Sequence, residues 1–117
     1  MTVDQPVQLK EIDAKGVKLF IIDDGKEVAR AFLYLLHNEL NVEPFGFMED
    51  VFVVEEYRSK GYGSKILDAL IAEAKKRGCY KLIGTSRHSR PKVHDLYKRI
   101  GFEDWGVEFR MNFKEKK

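Results

Sequence analysis

Apolar residues in the first half of the chain come in short runs of strand length, separated by polar segments that contain glycine or proline. Four such runs predict β-strands, at residues 7–13, 17–23, 28–37 and 45–54. Asp24-Gly25, between the second and third runs, is a sequence typical of hairpin turns. The third run is rich in alanine and leucine, which also suit a helix, so a helix stays open there as the alternative.

Beyond residue 60 the apolar residues take the spacing of helices. Two helices and the strand between them are predicted, at residues 61–77, 80–86 and 91–100. Gly78 and Gly101 follow the two helices, as glycine often does after a helix end, and Pro91 suits a first helical turn. Residues 107–113 alternate strictly between apolar and polar side chains, which predicts a half-buried closing strand.

This order of elements predicts an α/β fold with a mixed, mostly antiparallel sheet. The strand–helix–strand unit at 51–86 predicts a central right-handed β-α-β crossover that joins two parallel strands. With 117 residues, the chain is expected to form a single domain over residues 1–117.

Composition and charge exclude several classes of function. The net charge of +2 is too balanced to favour nucleic acid as a partner, and no apolar run approaches the ~20 residues of a membrane span. The first residues have neither the basic nor the apolar region of a signal peptide, and a lone Cys79 fits a reducing compartment. A cytoplasmic location is therefore expected. The three histidines have no familiar metal-ligand spacing, so no metal is expected.

Two glycines and two basic residues lie in the segment 58–63, between the predicted strand at 45–54 and Ile66, where the apolar spacing of the long helix begins. Gly61 and Gly63 let backbone N–H groups approach a ligand closely, and the helix start adds unpaired donors and a partial positive charge. Arg58 and Lys60 add full positive charges. The segment therefore indicates a cradle for a phosphate or pyrophosphate. It is neither a P-loop, which needs a lysine directly after Gly63, nor a dinucleotide fingerprint, which needs a third glycine.

A second motif, Leu-Tyr-x-x-x-Gly-Phe, stands at residues 96–102, with a helix and a strand between it and the first. Together with Arg-x-x-Gly-x-Gly at 58–63, it resembles the signatures of the GNAT superfamily of N-acyltransferases. The two motifs occur in the family's order and on its elements, and the resemblance covers residues 46–102.

The resemblance implies a set of contacts with acetyl-CoA, made mostly by backbone groups. The backbone of the strand end would pair with the pantetheine arm as though the arm were an added strand, through Val51, Phe52 and Val53. The backbone amides of the following loop and helix start would hold the pyrophosphate, at Arg58, Ser59, Lys60, Gly61, Tyr62, Gly63 and Ser64.

The resemblance also implies two catalytic residues. Tyr97 stands where the family places the general acid that protonates the leaving CoA thiolate. Glu49 matches the acidic residue of the Glu-Asp-x-aromatic-Val stretch in polyamine acetyltransferases, which implies a general base acting directly or through water. The alternative is that Glu49 or Asp50 only caps or orients the strand. A backbone N–H near Val51 or Val53, freed where the strand leaves its neighbour, would polarise the thioester carbonyl.

The chain departs from the family's pattern in three places. Arg90 stands where members often carry an asparagine that touches the pantetheine arm, so this contact is either altered or made by Arg90. Ser59 replaces a common glycine, which is tolerable if its φ is negative. No pair of amphipathic helices separates the first two strands, so N-terminal helices are reduced or absent. The acceptor side is then open, or a second subunit completes it, with residues 107–113 as a plausible edge for a homodimer.

The leading functional hypothesis is an N-acetyltransferase that moves an acetyl group from acetyl-CoA to a primary amine by direct attack in a ternary complex. Acidic residues near the strand end favour a cationic acceptor, either a small molecule or a lysine-type amine. The alternative is a catalytically silent CoA-binding module that acts as a sensor or regulatory partner.

Overall fold

A computed structural model describes residues 3–114 of the protein. Its elements, in chain order, are β1 (Lys15–Asp23), β2 (Lys26–Leu36), β3 (Phe45–Val53), a 3-10 turn (Glu55–Tyr57), α1 (Tyr62–Lys76), β4 (Leu82–Gly84) and α2 (Pro91–Ile100). The predicted third strand is confirmed as a strand rather than a helix.

The strands form one mixed sheet in the order β1-β2-β3-β4. The first three are antiparallel neighbours, whereas β4 lies parallel to β3. The predicted crossover is confirmed, since α1 connects these two parallel strands. Asp24 and Gly25 form the tight turn between β1 and β2 with φ values of 52° and 74°, both in the left-handed region.

The core lies between one face of the sheet and α1. Its buried side chains come from β2, β3 and α1: Ala29, Ala31, Leu33, Leu35, Met48, Ile66, Leu67, Leu70 and Ala74. Leu96, Tyr97 and Ile100 of α2 pack against the same cluster. Both helices therefore cover one face of the sheet, which we call the inner face.

The opposite, outer face of the sheet carries aromatic and charged side chains. Cross-strand pairs show its composition, with Lys18 beside Phe32, Tyr34 beside Phe47, and Arg30 beside Phe52. No helix within residues 3–114 packs on this face, and no helix precedes β3 there. The expected reduction of N-terminal helices therefore holds for the part of the chain that the structure describes.

Two predicted strands were wrong. Residues 7–13 and 107–113 have no regular structure, and their large apolar side chains are exposed. The alternating pattern describes a side chain's preference, but a strand also needs a neighbour for its backbone groups, and neither segment has one among residues 3–114.

β4 is also shorter than the predicted 80–86. The radius of gyration, 17.2 Å, exceeds the roughly 13 Å of a compact chain of this length, in line with the absence of residues 7–13 and 107–113 from the sheet.

Candidate active site

The sheet opens between β3 and β4. The two strands pair only from Gly46 to Met48 on β3, opposite Leu82 to Gly84 on β4. Beyond Met48, the β4-facing edge of residues 49–53 has no strand neighbour within the described chain. An extended ligand could therefore pair with this edge through backbone hydrogen bonds.

A β-bulge lies in this open part of β3. Arg30 pairs with Phe52, and Phe32 pairs with Glu49, so one residue of β2 stands opposite two of β3, Asp50 and Val51. Asp50 has a φ of 50°, which is uncommon for a residue other than glycine. A bulge leaves its extra residue outside the regular ladder. An unpaired N–H at this point would be available to a ligand.

The bulge also decides which side chains face the core. Met48 before it and Val51 and Val53 after it all pack against the inner cluster. Glu49 and Phe52 lie on the outer face, beside Phe32 and Arg30 of β2. The strand end therefore presents apolar residues inward and a carboxylate outward.

The loop between β3 and α1 is anchored to the strand end. Arg58 Nε donates a hydrogen bond to the Val53 carbonyl at 2.8 Å. Ser59 has a φ of 62°, so the condition under which serine would replace glycine without strain is not met, and the position costs about 1–2 kcal/mol relative to an ordinary conformation. Gly61 precedes α1 with a φ of 91°, a conformation that explains why glycine occupies this position.

Gly63 has no such explanation within the chain. It lies in the first turn of α1, and a Cβ placed there would meet only Val53 Cγ2, at 4.0 Å, an ordinary contact. Neither backbone conformation nor packing therefore excludes a side chain. The space beside this helix start is open to a ligand.

The start of α1 favours an anion. No side chain caps the helix, and its first turn contains no acidic residue. Its free N–H groups and partial positive charge are thus not neutralised by the protein itself. Lys60 and Arg58 lie beside it, both exposed. Tyr62 contributes only its backbone, because its hydroxyl donates a hydrogen bond to Asp23 at 2.6 Å.

Tyr97 lies on α2, half-buried, with its ring 5.3 Å from that of Phe102. Burial raises the pKa of Tyr97, and the positive charge of Arg90 opposes that rise. Arg90 itself is the exposed residue that precedes α2. Tyr97, Val51, Val53 and Tyr62 pack against the same core cluster, so the strand end, the helix start and the phenol share one side of the molecule.

The two acidic residues of β3 differ in their partners. Asp50 accepts hydrogen bonds from Arg30 Nε at 2.9 Å and Nη2 at 3.3 Å. Glu49 is exposed and makes no side-chain hydrogen bond or ion pair with residues 3–114. Sequence reasoning missed Arg30. The signal was available, since it is the one charged residue in an otherwise apolar run from Val28 to Leu36.

Other chemistry is not supported by the geometry. Burial raises the pKa of the Cys79 thiol, which lowers its thiolate fraction, and the residue lies after the far end of α1. The His94 ring is held by the Arg87 carbonyl, with 2.8 Å between Nε2 and the oxygen. Residues 3–114 contain no cluster of three or more His, Cys, Asp or Glu that could hold a metal. No helix among them has the length and apolarity to cross a membrane.

Comparison with known proteins identifies the family. The sequence model of the acetyltransferase (GNAT) family matches residues 3–102. The chain belongs to this family. Over 105 residues, it is 33% identical to aminoglycoside N(6')-acetyltransferase type 1 of Stenotrophomonas maltophilia, a match that covers 85% of this chain and 69% of that protein.

Two further proteins show the range of the GNAT relatives. Thialysine N-epsilon-acetyltransferase of Bos taurus is 36% identical over 58 residues, which cover 50% of this chain and 34% of that enzyme. The solved glucosamine-6-phosphate N-acetyltransferase of Arabidopsis thaliana superimposes with a TM-score of 0.76 at 26% identity, covering 85% of this chain and 67% of the other. The chain thus spans about a third to two thirds of these proteins.

Substitution of Gly63 separates a ligand role from a structural one. We expect Gly63→Ala to raise the melting temperature slightly, because alanine favours a helix by up to about 1 kcal/mol over glycine. The same methyl group would enter the open space at the helix start and weaken coenzyme A binding at least tenfold, measured by titration calorimetry. Ala69→Gly, further along α1, is the converse control, with lower stability and unchanged affinity. An unchanged affinity in Gly63→Ala would contradict this assignment.

Proposed function

We propose that this GNAT protein is an acetyl-CoA-dependent N-acetyltransferase that acts on a primary amine in a ternary complex, with residues 1–117 as one catalytic domain. The single observation that carries the proposal is the opening between β3 and β4 beside the uncapped start of α1. This arrangement offers an extended backbone edge for the pantetheine arm and positive charge for the pyrophosphate.

The residues present fit the co-substrate. The β4-facing edge at Val51–Val53 would hold the arm, and the amides of Arg58–Ser64 would hold the pyrophosphate. The open space at Gly63 supports this placement, because nothing in the chain itself requires a glycine there. Arg90, exposed at the start of α2, would supply a positive contact where other family members carry asparagine.

Tyr97 would act as the general acid. In the reaction, the amine nitrogen attacks the thioester carbonyl, the new C–N bond forms, and the C–S bond breaks. The departing thiolate takes its proton from the Tyr97 hydroxyl. Because burial raises the pKa of Tyr97, the phenol keeps this proton at neutral pH. The assistance is modest, since a free thiol has a pKa of about 8.5 and leaves fairly well on its own.

Glu49 would accept the proton that the amine must lose, directly or through water. Its carboxylate is exposed on the outer face and has no partner among residues 3–114, unlike that of Asp50. The bulge N–H at Asp50–Val51 would polarise the thioester carbonyl. Two of these roles thus fall on adjacent residues of β3, and the third falls on α2, which packs against the same core cluster as the end of β3.

The acceptor would be a cationic amine that approaches over the outer face. This face already holds one alkylammonium group, since Lys18 Nζ lies 5.3 Å from the Phe20 ring, 5.9 Å from the Phe32 ring and 2.6 Å from Glu27. Phe32 also stands beside Glu49, so an acceptor amine would meet the same pairing of ring and carboxylate. The names of the relatives, which include an aminoglycoside and thialysine, support a small-molecule amine.

The activity is tested by mixing the protein with acetyl-CoA and a panel of amines and following CoA release. We expect turnover, and a loss of about 100-fold in kcat in Tyr97→Phe, at the low end for general acid catalysis.

In the unchanged protein, kcat/KM should fall at high pH only above pH 10, where the phenol ionises. Tyr80 is a half-buried tyrosine beside Phe45, at the other end of β3. Tyr80→Phe is therefore the matched control for Tyr97→Phe and should retain activity.

A silent CoA-binding module predicts a different result. Coenzyme A would then raise the melting temperature by mass action, but no amine would be acetylated. Full activity in Tyr97→Phe would instead support the transferase hypothesis but show that Tyr97 is not the general acid.

We also propose that the protein forms a homodimer through the segment at residues 107–113, together with the nearby Trp105. Trp105, Phe109 and Phe113 are 88%, 92% and 90% exposed, and the outer edge of β4 is open within the described chain. Each of the three aromatic side chains would bury roughly 150–250 Å². If each copy packed its segment on the other, the area buried on each partner would approach the roughly 800 Å² of a stable interface. The occupant of each open β4 edge would be this segment of a second copy of the chain, which has an apolar side to offer.

Light scattering after size exclusion tests this assembly. We expect a mass of about twice 13.6 kDa, reduced to one chain in Phe109→Asp because a carboxylate would have to be buried. Asn112→Asp adds the same charge to the polar side of the segment and should remain dimeric. A monomeric unchanged protein at high concentration would contradict the dimer.

A further inference from the structure

We propose that Arg30 and Asp50 form a positioning pair that holds the bulge of β3 in its open geometry. This inference rests on the proposed function, because the bulge is where that function places the carbonyl-polarising N–H. Neither residue needs to touch the substrates. Their task would be to fix the backbone between Glu49 and Val51.

The pair is a fork joining two strands at the irregular point of their register. Arg30 presents two nitrogens to the two oxygens of Asp50, at 2.9 and 3.3 Å, in a bidentate arrangement that is more directional than a single contact. Arg30 stands opposite Phe52, on the far side of the bulge from Glu49. The ion pair therefore joins β2 to Asp50, one of the two residues that form the bulge.

The backbone at Asp50 needs such support. A left-handed conformation costs an ordinary residue about 1–2 kcal/mol, although aspartate tolerates it better than most. Without a tie, β3 could straighten and slip by one residue relative to β2. A slip of one residue turns every following side chain to the opposite face, which would remove Val51 and Val53 from the core.

The pair is also linked to the anion cradle. The guanidinium carbons of Arg30 and Arg58 lie 4.7 and 5.4 Å from the centroid of the Phe52 ring. Arg58 in turn holds the Val53 carbonyl. The Phe52 ring therefore connects the tie across the bulge to the loop that leads into α1.

The pairing also separates the roles of two adjacent carboxylates. Asp50 is engaged by a guanidinium, whereas Glu49 beside it has no partner among residues 3–114. An engaged carboxylate has its charge compensated and its oxygens occupied. Glu49 is thus left as the base, and Asp50 is the residue that orients the strand.

The test compares Arg30→Met, Asp50→Asn and the double variant. Each single change should lower kcat at least tenfold and also weaken coenzyme A binding, measured by calorimetry, because a shifted register moves the Val51–Val53 edge that would hold the pantetheine arm. The double variant should lose little more than either single, since the two residues act as one unit. Glu73→Gln breaks the 2.6 Å pair with Arg77 near the end of α1, away from the outer face of the sheet, and should leave kcat unchanged.

A second measurement does not depend on activity. Nuclear Overhauser contacts across the β2–β3 pair report the register, which has Ala29 beside Val53 and Phe32 beside Glu49. In the single variants we expect these contacts to weaken and a shifted set to appear. An intact register in both variants would overturn the proposal, as would an unchanged kcat in an active enzyme. If the unchanged protein acetylates no amine, the proposed transferase fails, while the register still decides whether the pair holds the bulge.

Discussion

The parting of β3 from β4 after Met48 is the constraint on which the rest of the structure depends. Parallel strands normally exchange hydrogen bonds along their length, but β4 contains only three residues and leaves β3 with an unpaired edge. Backbone groups without partners are costly when buried, so such an edge persists where solvent or a ligand can satisfy it. The site follows from that opening, because the edge leads directly into the loop before α1.

Unusual backbone conformations concentrate around the opening. Of the non-glycine residues with positive φ in the described chain, Asp24 lies in a hairpin turn, whereas Asp50 and Ser59 flank the end of β3. Gly61 adds a third left-handed position immediately before α1. Strained conformations of this kind persist only when their surroundings hold them, and they are often found at functional sites. Here Arg30 makes two hydrogen bonds to Asp50, and Arg58 donates one to the Val53 carbonyl.

Much of the fold could be predicted from sequence because its periodicities are strong. The helical spacing of Ile66, Leu67 and Leu70 located α1, and the run at 51–54 located the strand before it. The failures have a common physical cause. Residues 7–13 and 107–113 have the composition of strands, yet a strand also requires a neighbouring backbone, which no local pattern reports.

The proposed cradle has a clearer signal in the sequence than the bulge. Glycines and basic residues at a strand–helix junction have a direct physical meaning, so the segment 58–63 could be singled out by composition and spacing. The bulge depends on the register between β2 and β3, and its tie joins Arg30 to Asp50 across two strands. No spacing along the chain encodes that contact. That Asp50 has an ion-pair partner while Glu49 has none among residues 3–114 therefore could not be predicted from the sequence.

Hydrogen exchange with and without coenzyme A tests the central claim most directly. We expect the co-substrate to slow exchange at the amides of 51–53 and 58–64, where the strand edge and the helix start would donate to it, and to leave the amides of β1 unchanged. Equal exchange in both segments with and without a saturating concentration of coenzyme A would contradict the account.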